Sequence, residues 1–185
     1  METEREINAV CRRIRTDDLE MIMNWRMMPE ITKFMNTDPV LTLEGQKKWF
    51  SKIKESKTDF YWILEVDGVP CGVVSLVNYD GRQVHTGIYI AVKEKRSLKL
   101  ILYVQWNLYR YAFDQMKAHK VCEEVFLENK AVNRILDMCG SKKEGVLRDH
   151  VWKNGVYYDV VVRGILKEEW EAQKEKIRYD RIEFE

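Results

Sequence analysis

Short runs of alternating apolar and polar residues recur along this chain, and such runs are typical of β-strands. Turn signals separate several of them, at Asp67-Gly68, at Tyr79-Asp80-Gly81 and, most strongly, at Asn154-Gly155. The predicted strands cover residues 9–15, 60–66, 71–78, 82–92, 121–127, 144–152 and 156–166. The second, third and fourth strands follow one another through short turns, which predicts an antiparallel meander.

Longer segments between these strands repeat their apolar residues with the helical period. Leu98, Ile101, Leu102 and Leu108, for example, recur at the spacing of one helix face. The predicted helices cover residues 19–28, 43–56, 98–116 and 129–139, and we expect the charged segment 167–185 to begin as a helix and then fray. The order of elements predicts an α/β fold, a mixed twisted sheet of about seven strands with helices on both faces.

Length and charge narrow the range of functions. The chain has 185 residues, enough for a single domain over 1–185, with residues 171–185 as a charged tail. Its formal net charge is +1, which gives no support to a surface that coats nucleic acid. No stretch has the roughly 20 apolar residues of a membrane span, and the first residues, METEREINAV, are too polar for a secretory signal. We therefore expect a cytoplasmic protein that binds neither nucleic acid nor membrane.

Metal chemistry is not expected either. The four cysteines form no C-x-x-C pair, and the three histidines lie far apart in the sequence. Free cysteine is among the most buried residue types, so we interpret Cys11, Cys71, Cys122 and Cys139 as small core residues. The oligomeric state is left open, with a homodimer as one alternative.

The segment IYIAVKEKRSLKLILYVQW, residues 88–106, is typical of a strand, a basic turn and a helix. The first amides of a helix have no partner within it and carry the positive end of its dipole, so such a junction can bind a pyrophosphate. The residues that span the junction are Arg96, Ser97, Leu98, Lys99, Leu100 and Ile101. The turn contains no glycine, and these residues by themselves also fit an ordinary solvated basic turn.

A second segment, ENKAVNRILDMCGSKKEGVLRD at residues 128–149, carries Asn129, Arg134, Gly140 and Glu144 in a distinctive spacing. The segment resembles the run N-x-x-[SA]-x-R-x-L-x-x-x-G-F-x-x-E-G-x-L-R of the GCN5-related N-acetyltransferase (GNAT) superfamily. The resemblance implies the GNAT fold and acetyl-CoA as the acyl donor, without a metal.

In that superfamily the acyl-CoA pyrophosphate lies on an [RQ]-x-x-G-x-[GA] turn after the fourth strand. Arg96 matches the first position, whereas Lys99 and Ile101 replace the two small residues. Glycine permits close backbone approach, so side chains at these positions imply a shifted or weaker cofactor pose.

The resemblance also implies cofactor contacts outside the turn. In the superfamily, the pantetheine arm runs along the fourth strand, where a backbone amide polarises the thioester carbonyl. The implied cofactor-binding residues beyond the turn are Ile90, Ala91, Val92, Asn129 and Arg134. Many members have a tyrosine that protonates the leaving thiolate where this chain has Leu136.

A third segment, residues 25–50, combines aromatic, methionine and polar side chains where such a fold keeps its acceptor site. It is similar to the nucleotide-sugar N-acetyltransferases of pseudaminic acid biosynthesis, through their W-R-x-x-P-x-[IV]-[TN]-x-[FYW]-M start. The implied substrate-binding residues are Arg26, Met35, Asn36, Asp38 and Trp49. Polar groups beside aromatic ones suit a sugar or nucleotide ligand, although the large apolar residues also fit a simple core role.

Acetylation of an amine requires a base, because the acceptor must lose a proton before it attacks the thioester. Glu124 matches a glutamate of the resembling nucleotide-sugar enzymes and is the candidate base. His85 is the alternative base, since histidine has a suitable intrinsic pKa. Tyr157 is a candidate acid, and the neighbouring Tyr158 is an equal alternative in the sequence.

These interpretations predict an N-acetyltransferase that moves acetyl from acetyl-CoA to an amine by direct transfer in a ternary complex. The expected acceptor is the 4-amino group of a UDP-linked dideoxy amino sugar. Ribosomal-protein or peptide N-terminal acetylation is an alternative. A non-catalytic module that keeps the fold is a second class of function, because the pyrophosphate turn lacks its glycines.

Overall fold

The computed structural model describes residues 7–185, within which all the strands join into one eight-stranded sheet. Residues 1–6, which include most of the METEREINAV start, lie outside the described residues. The strands are β1 (Ala9–Arg13), β2 (Phe60–Val66), β3 (Val69–Val77), β4 (Gln83–Ile90), β5 (Lys120–Phe126), β6 (Lys142–Lys153), β7 (Val156–Leu166) and β8 (Glu183–Phe184). The helices are α1 (Leu19–Arg26), α2 (Pro29–Thr32), α3 (Leu43–Glu55), α4 (Leu98–Arg110), α5 (Lys130–Met138) and α6 (Lys167–Gln173).

The strands lie in the order β6-β7-β5-β4-β3-β2-β1-β8. Strands β2, β3 and β4 form the predicted antiparallel meander, and β6 and β7 form the predicted hairpin. Strands β4 and β5 pair in parallel across the long connection that contains α4. The predicted mixed sheet with helices on both faces is therefore confirmed, with one strand more than the sequence suggested.

The extra strand comes from the C-terminal tail, which does not fray as expected. After α6 and a short 3₁₀ turn, the tail returns along α4 and pairs in parallel with β1. The side chain of Asn107 donates to the carbonyl of Asp180 at 3.0 Å and accepts from the amide of Ile182 at 3.1 Å. Ile182 is fully buried. The charge composition of the tail predicted fraying, but the tail is stabilised by contacts with residues far away in the sequence rather than by its own helix propensity.

Polar side chains fix where the helices begin. Thr42 accepts a hydrogen bond from the amide of Gly45 at 3.1 Å at the start of α3. Ser97 and Asn129 occupy the corresponding position before α4 and α5. Each side-chain oxygen satisfies an amide that has no partner within its helix.

The two faces of the sheet carry different clusters of apolar side chains. On one face, which we call the α4 face, the buried cluster includes Leu108 and Tyr109 of α4 and Trp170 of α6. On the other, which we call the α1 face, Leu19 and Trp25 cover β2 and β3. Within residues 7–185, the α1-face cluster includes no side chain of β5, β6 or β7.

Three of the four cysteines, Cys11, Cys71 and Cys139, are buried, and Cys122 is half-buried. Burial raises the pKa of the Cys71 thiol to about 11 and that of Cys139 to about 12. The core interpretation thus holds for these three residues. Within residues 7–185, no helix is long and apolar enough to cross a bilayer, and no group of three histidine, cysteine or carboxylate side chains is placed to hold a metal ion.

Candidate active site

The centre of the sheet contains a gap between its two parallel strands. Strands β4 and β5 pair only at their first residues, and the last matched pair is His85 with Cys122. Beyond it β4 continues to Ile90 and β5 to Phe126, but the two strands no longer pair. Backbone groups that would complete a sheet ladder therefore line the gap.

The hydrogen-bond pattern of β4 shows which amides point into this gap. The amides of Ala91 and Val92 both donate to the carbonyl of Cys71 in β3, at 2.7 and 3.1 Å. Since bonding alternates along an antiparallel strand, the amides of Ile88 and Ile90 point away from β3, toward the gap. Of the three residues expected beside the pantetheine arm, Ile90 points its amide into the gap, whereas Ala91 and Val92 point theirs to β3. Ile88, which was not among the three, also points its amide into the gap.

The basic turn after β4 is tied together by Arg96. Its Nε donates to the carbonyl of Ile90 at 2.8 Å, and its Nη2 donates to that of Ala91 at 3.1 Å. The guanidinium thus stabilises the turn, and a direct phosphate contact by Arg96 stays a prediction. These two hydrogen bonds stabilise the backbone of a turn that lacks glycine.

The first turn of α4 offers fewer amides than expected. The amide of Leu100 donates to the Ser97 hydroxyl at 3.1 Å, and that of Ile101 donates to the Ser97 carbonyl at 3.1 Å. Leu100 is also buried in the α4-face cluster. The expected phosphate-binding stretch therefore narrows to its first residues, Ser97, Leu98 and Lys99, beside the half-buried Lys95, which pairs with Asp67 at 2.9 Å.

The second cofactor segment lies at the start of α5. The side-chain oxygen of Asn129 accepts from the amide of Val132 at 3.3 Å, so this residue caps the helix. Arg134 is exposed on the same helix, whereas Leu136 is buried. No side chain able to donate a proton therefore stands at the Leu136 position.

The candidate bases lie on the α1 face. Val84 and Val121 belong to the α4-face cluster, and side chains alternate along a strand, so His85 and Glu124 project from the opposite face. Glu124 is exposed and His85 is half-buried. The structure therefore brings both candidates to the uncovered part of the sheet, beside the gap.

Because side chains alternate along β7, Tyr157 and Tyr158 lie on opposite faces of the sheet. Tyr158 stacks on Phe126 with ring centroids 5.1 Å apart, which puts it on the α1 face with Glu124. Tyr157 packs against Trp152 on the α4 side, with centroids 4.5 Å apart and 58% of its surface exposed. The assignment of Tyr157 as an acid is therefore wrong in its placement, and Tyr158 is the tyrosine on the face of the candidate bases.

An arginine and several aromatic rings lie together on the α1 face. A guanidinium nitrogen of Arg26 contacts the sulfur of Met35. Burial raises the pKa of the Tyr61 and Tyr89 hydroxyls, and the positive charge of Arg26 opposes that shift. Trp49 meets Tyr61 edge to face, with centroids 5.3 Å apart. Of the expected substrate residues, Arg26, Met35 and Trp49 therefore belong to one cluster, which also contains Tyr61 and Tyr89, two residues outside the local motif.

Two features of this cluster suit a polar ligand. The Tyr89 hydroxyl is buried and has no hydrogen-bond partner within residues 7–185, and burial raises its pKa. Arg26 is half-buried, and no carboxylate in the described part of the chain pairs with it. Buried polar groups are normally satisfied, so an unsatisfied hydroxyl beside an unpaired cation favours a ligand there.

Asp38 contacts the β6–β7 hairpin, and its predicted role in substrate binding stays a prediction. Its carboxylate pairs with Lys153 at 2.8 Å and accepts from the side chain of Asn154 at 2.6 Å. Lys153, only 8% exposed, also donates to the carbonyls of Thr32 at 2.6 Å and Met35 at 3.0 Å. The tip of the β6–β7 hairpin is thereby joined to the loop that carries Met35, whereas Asn36 of that loop is exposed.

This junction borders an open depression of about 650 Å³, lined in part by Met27, Lys33, Asp38, Lys153 and Tyr158. Hydrogen bonds from Lys153 and then Asn154 hold the pKa of the Asp38 carboxyl at about 2. Asp38 therefore remains ionised, with its charge directed to the hairpin.

A gap that exposes backbone amides, next to a helix start and a face with proton acceptors, is what an enzyme needs to transfer an acyl group from a phosphorylated carrier. Sequence comparison agrees, since residues 9–142 match the acetyltransferase (GNAT) domain family. The chain belongs to that family. It is accordingly an acyl-CoA-dependent N-acetyltransferase with acetyl-CoA as its donor.

Individual relatives differ in what they act on. A putative ribosomal N-acetyltransferase of Bacillus subtilis, YdaF, is 33% identical over 113 residues, which cover 60% of this chain and 61% of that protein. The acetyltransferase PseH of Campylobacter jejuni is 25% identical over 118 residues, covering 63% and 72%. A spermidine N-acetyltransferase of Vibrio cholerae, solved with CoA and spermine, has the same fold, with a TM-score of 0.79 and 22% identity over 88% of this chain and 98% of that one.

Proposed function

We propose that this N-acetyltransferase transfers acetyl to the 4-amino group of a UDP-linked dideoxy amino sugar. The observation that carries the proposal is the half-buried guanidinium of Arg26, which lies among Met35, Tyr61 and Tyr89 without a carboxylate partner in residues 7–185. Guanidinium binds phosphate oxygens bidentately, and aromatic rings provide surfaces for a sugar or a base. An acceptor that carries a diphosphate matches this chemistry.

The same cation argues against a polyamine acceptor. Spermidine is positively charged along its length, and a like charge at Arg26 disfavours its approach. The fold shared with the Vibrio cholerae spermidine enzyme carries no information on substrate at 22% identity. Peptide N-termini are the second candidate, favoured by the 33% identity to the putative ribosomal enzyme of Bacillus subtilis.

The transfer step follows from the groups near the gap. Glu124, or His85 in its place, removes a proton from the ammonium form of the acceptor, directly or through water. The freed amine attacks the thioester carbon, and an amide of Ile88 or Ile90 donates to the developing oxyanion. The C–S bond then breaks and the nitrogen loses its second proton to solvent, which gives the neutral amide. The thiolate takes a proton from solvent, or from Tyr158, which regains it from solvent. No covalent intermediate on the protein is needed.

A substrate panel with thiol release as the readout tests this proposal. The panel contains a UDP-linked 4-amino sugar, the same sugar without UDP, spermidine and a ribosomal-type N-terminal peptide. We expect the highest kcat/KM with the UDP-linked sugar. Turnover of spermidine or peptide with none of the UDP-linked sugar would reject the proposal.

Replacing Arg26 separates charge recognition from other effects. Arg26→Met keeps most of the side-chain length, and we expect it to raise KM for the UDP-linked sugar about tenfold or more, since a hydrogen bond to a charged group contributes about 1.5–3 kcal/mol. KM for the sugar without UDP should change little. The matched control is Arg178→Met, at an exposed arginine of the tail. Equal losses on both sugars would contradict phosphate recognition by Arg26.

A further inference from the structure

Glu123 is a buried carboxylate to which the reaction assigns no role. It lies on β5 at 3% exposure, on the α4 face. The Tyr109 hydroxyl donates to one carboxylate oxygen at 2.6 Å, and the Ser141 hydroxyl donates to the other at 2.7 Å. Burial raises the pKa of the Glu123 carboxyl despite these hydrogen bonds. The three residues come from three elements: α4, β5 and the segment after α5.

The position of Glu123 in the sheet is specific. The last pair between the parallel strands joins His85 to Cys122, so Thr86 on β4 and Glu123 on β5 are the first residues after the strands separate. The side-chain nitrogen Nε2 of Gln105 lies 3.4 Å from the Thr86 hydroxyl and 3.4 Å from a Glu123 carboxylate oxygen. One side chain of α4 thus bridges the two strands where the gap opens.

A plain structural role explains this arrangement poorly. Burying a carboxylate is costly even with the buried Arg163 of β7 as its cross-strand neighbour, and apolar side chains of similar volume often stabilise a core as well or better. At the opening of the gap, however, β5 has lost its ladder to β4, and apolar packing is not directional. Hydrogen bonds from Tyr109, Ser141 and Gln105 fix the direction of the strand instead.

We propose that Glu123 is a positioning residue that sets the course of β5 after it leaves β4, and with it the width of the gap that receives the pantetheine arm of acetyl-CoA. Glu123 acts through the backbone, since its side chain points away from the face of His85 and Glu124. The proposal rests on the acetyl-CoA-dependent activity of the chain and is independent of the acceptor.

A pair of near-isosteric variants tests it by direct binding, without any acceptor. Glu123→Met removes the acceptor oxygens, whereas Glu123→Gln keeps an oxygen for Tyr109 and offers an amide to the Ser141 hydroxyl. Calorimetric Kd values are measured for acetyl-CoA and for S-acetyl-pantetheine, which lacks the nucleotide. We expect Glu123→Met to weaken both donors by the same factor, about tenfold, because misplacing a positioned group by about 1 Å can have effects up to about 100-fold. Glu123→Gln should stay within about twofold of the original protein on the same argument.

Two results would overturn the proposal. Unchanged affinity of Glu123→Met for both donors, with only a lower midpoint of thermal unfolding, would make the network purely structural. A loss of affinity for acetyl-CoA with unchanged affinity for S-acetyl-pantetheine would assign the effect to the pyrophosphate turn.

If Glu123→Met does not fold, Tyr109→Phe decides by the same comparison of donors. Its matched control is Tyr111→Phe, because the Tyr111 hydroxyl makes no hydrogen bond within residues 7–185 although its ring packs on Trp62. Loss of affinity for both donors in Tyr109→Phe but not in the control supports the proposal, and equal affinities reject it.

Discussion

Glu123 and Glu124 are neighbours of the same residue type on one strand, yet their environments are opposite. Glu123 is buried on the α4 face and accepts hydrogen bonds from two hydroxyls, whereas Glu124 is exposed on the α1 face. The pleat of the strand alone separates them. A carboxylate held in a closed network can position the backbone, but only the exposed one can exchange a proton with an acceptor.

The two sides of the sheet extend this contrast. At the gap, which we call the donor side, Glu123 of β5 accepts hydrogen bonds from Tyr109 of α4 and from Ser141, so regular elements border the gap. On the acceptor side, the buried ammonium of Lys153 ties a hairpin tip to the loop that carries Met35. In the proposed function, donor binding depends on regular elements of the sheet and acceptor binding on loops, where substrate range can vary.

The largest effect is expected at Glu124. Glu124→Gln keeps the shape of the side chain but removes the base, so we expect kcat to fall about 100- to 10,000-fold. The calorimetric Kd for acetyl-CoA should not change, in contrast to the loss expected for Glu123→Met. Single-turnover thiol release measures the rate.

His85 provides the comparison for that experiment, since it shares the face with Glu124. His85→Asn should reduce the rate less than Glu124→Gln if the glutamate is the base. The reverse order would make His85 the base and would break the proposed contrast between the two glutamates.

An intermediate effect is expected at Lys153. Lys153→Met leaves the carbonyls of Thr32 and Met35 without their donor, so we expect a loss of about 1–3 kcal/mol in the free energy of unfolding. Because the loop also carries the sulfur that contacts Arg26, KM for the acceptor should rise while Kd for acetyl-CoA stays constant. Urea unfolding and steady-state kinetics measure the two quantities.

The control for Lys153 is Lys143→Met, an exposed lysine on the same strand. If Lys153→Met weakens donor binding as much as acceptor binding, the hairpin is coupled to the gap and the two sides are not independent.

Local patterns predicted the elements well, and their long-range pairing much less. The meander and the Asn154-Gly155 hairpin follow from turn residues and alternation, which act within a few positions of each other. Strand β8 was missed because it pairs with β1, near the opposite end of the chain, and because the segment before it is bonded to Asn107 of α4.

The same difference between local patterns and long-range contacts applies to the predicted site residues. Arg26 and Met35 stand in one local motif and lie together in the structure, but the contacts of Arg96 depend on carbonyls that a turn brings back to it. Alternation indicates that Tyr157 and Tyr158 face opposite ways, but only the pairing of β5 with β7 identifies which of them lies beside Glu124. The register between two distant strands cannot be predicted from the sequence of either strand alone.

The smallest effect concerns Asp38, the exposed partner of Lys153. Its pKa of about 2 lies below the ordinary value of 3.8, chiefly because of the hydrogen bond from Lys153. Between these two pH values the unfolded chain binds more protons at this site than the folded chain does, so stability rises with pH there. The stabilisation from Asp38 is therefore complete above about pH 4 and is lost as the pH falls toward 2, a modest change because solvent screens an exposed group.

Asp38→Asn isolates this contribution, because the amide keeps the size of the side chain and does not titrate. We expect the difference in urea midpoint between the original protein and Asp38→Asn to shrink steadily from pH 5 to pH 2. A difference that stays constant over that range would mean that the hairpin is held by the backbone carbonyls that accept from Lys153, with no contribution from the carboxylate. The acceptor side would then resemble the donor side more closely, since its buried charge would be hydrogen-bonded to neutral oxygens, as Glu123 is to the hydroxyls of Tyr109 and Ser141.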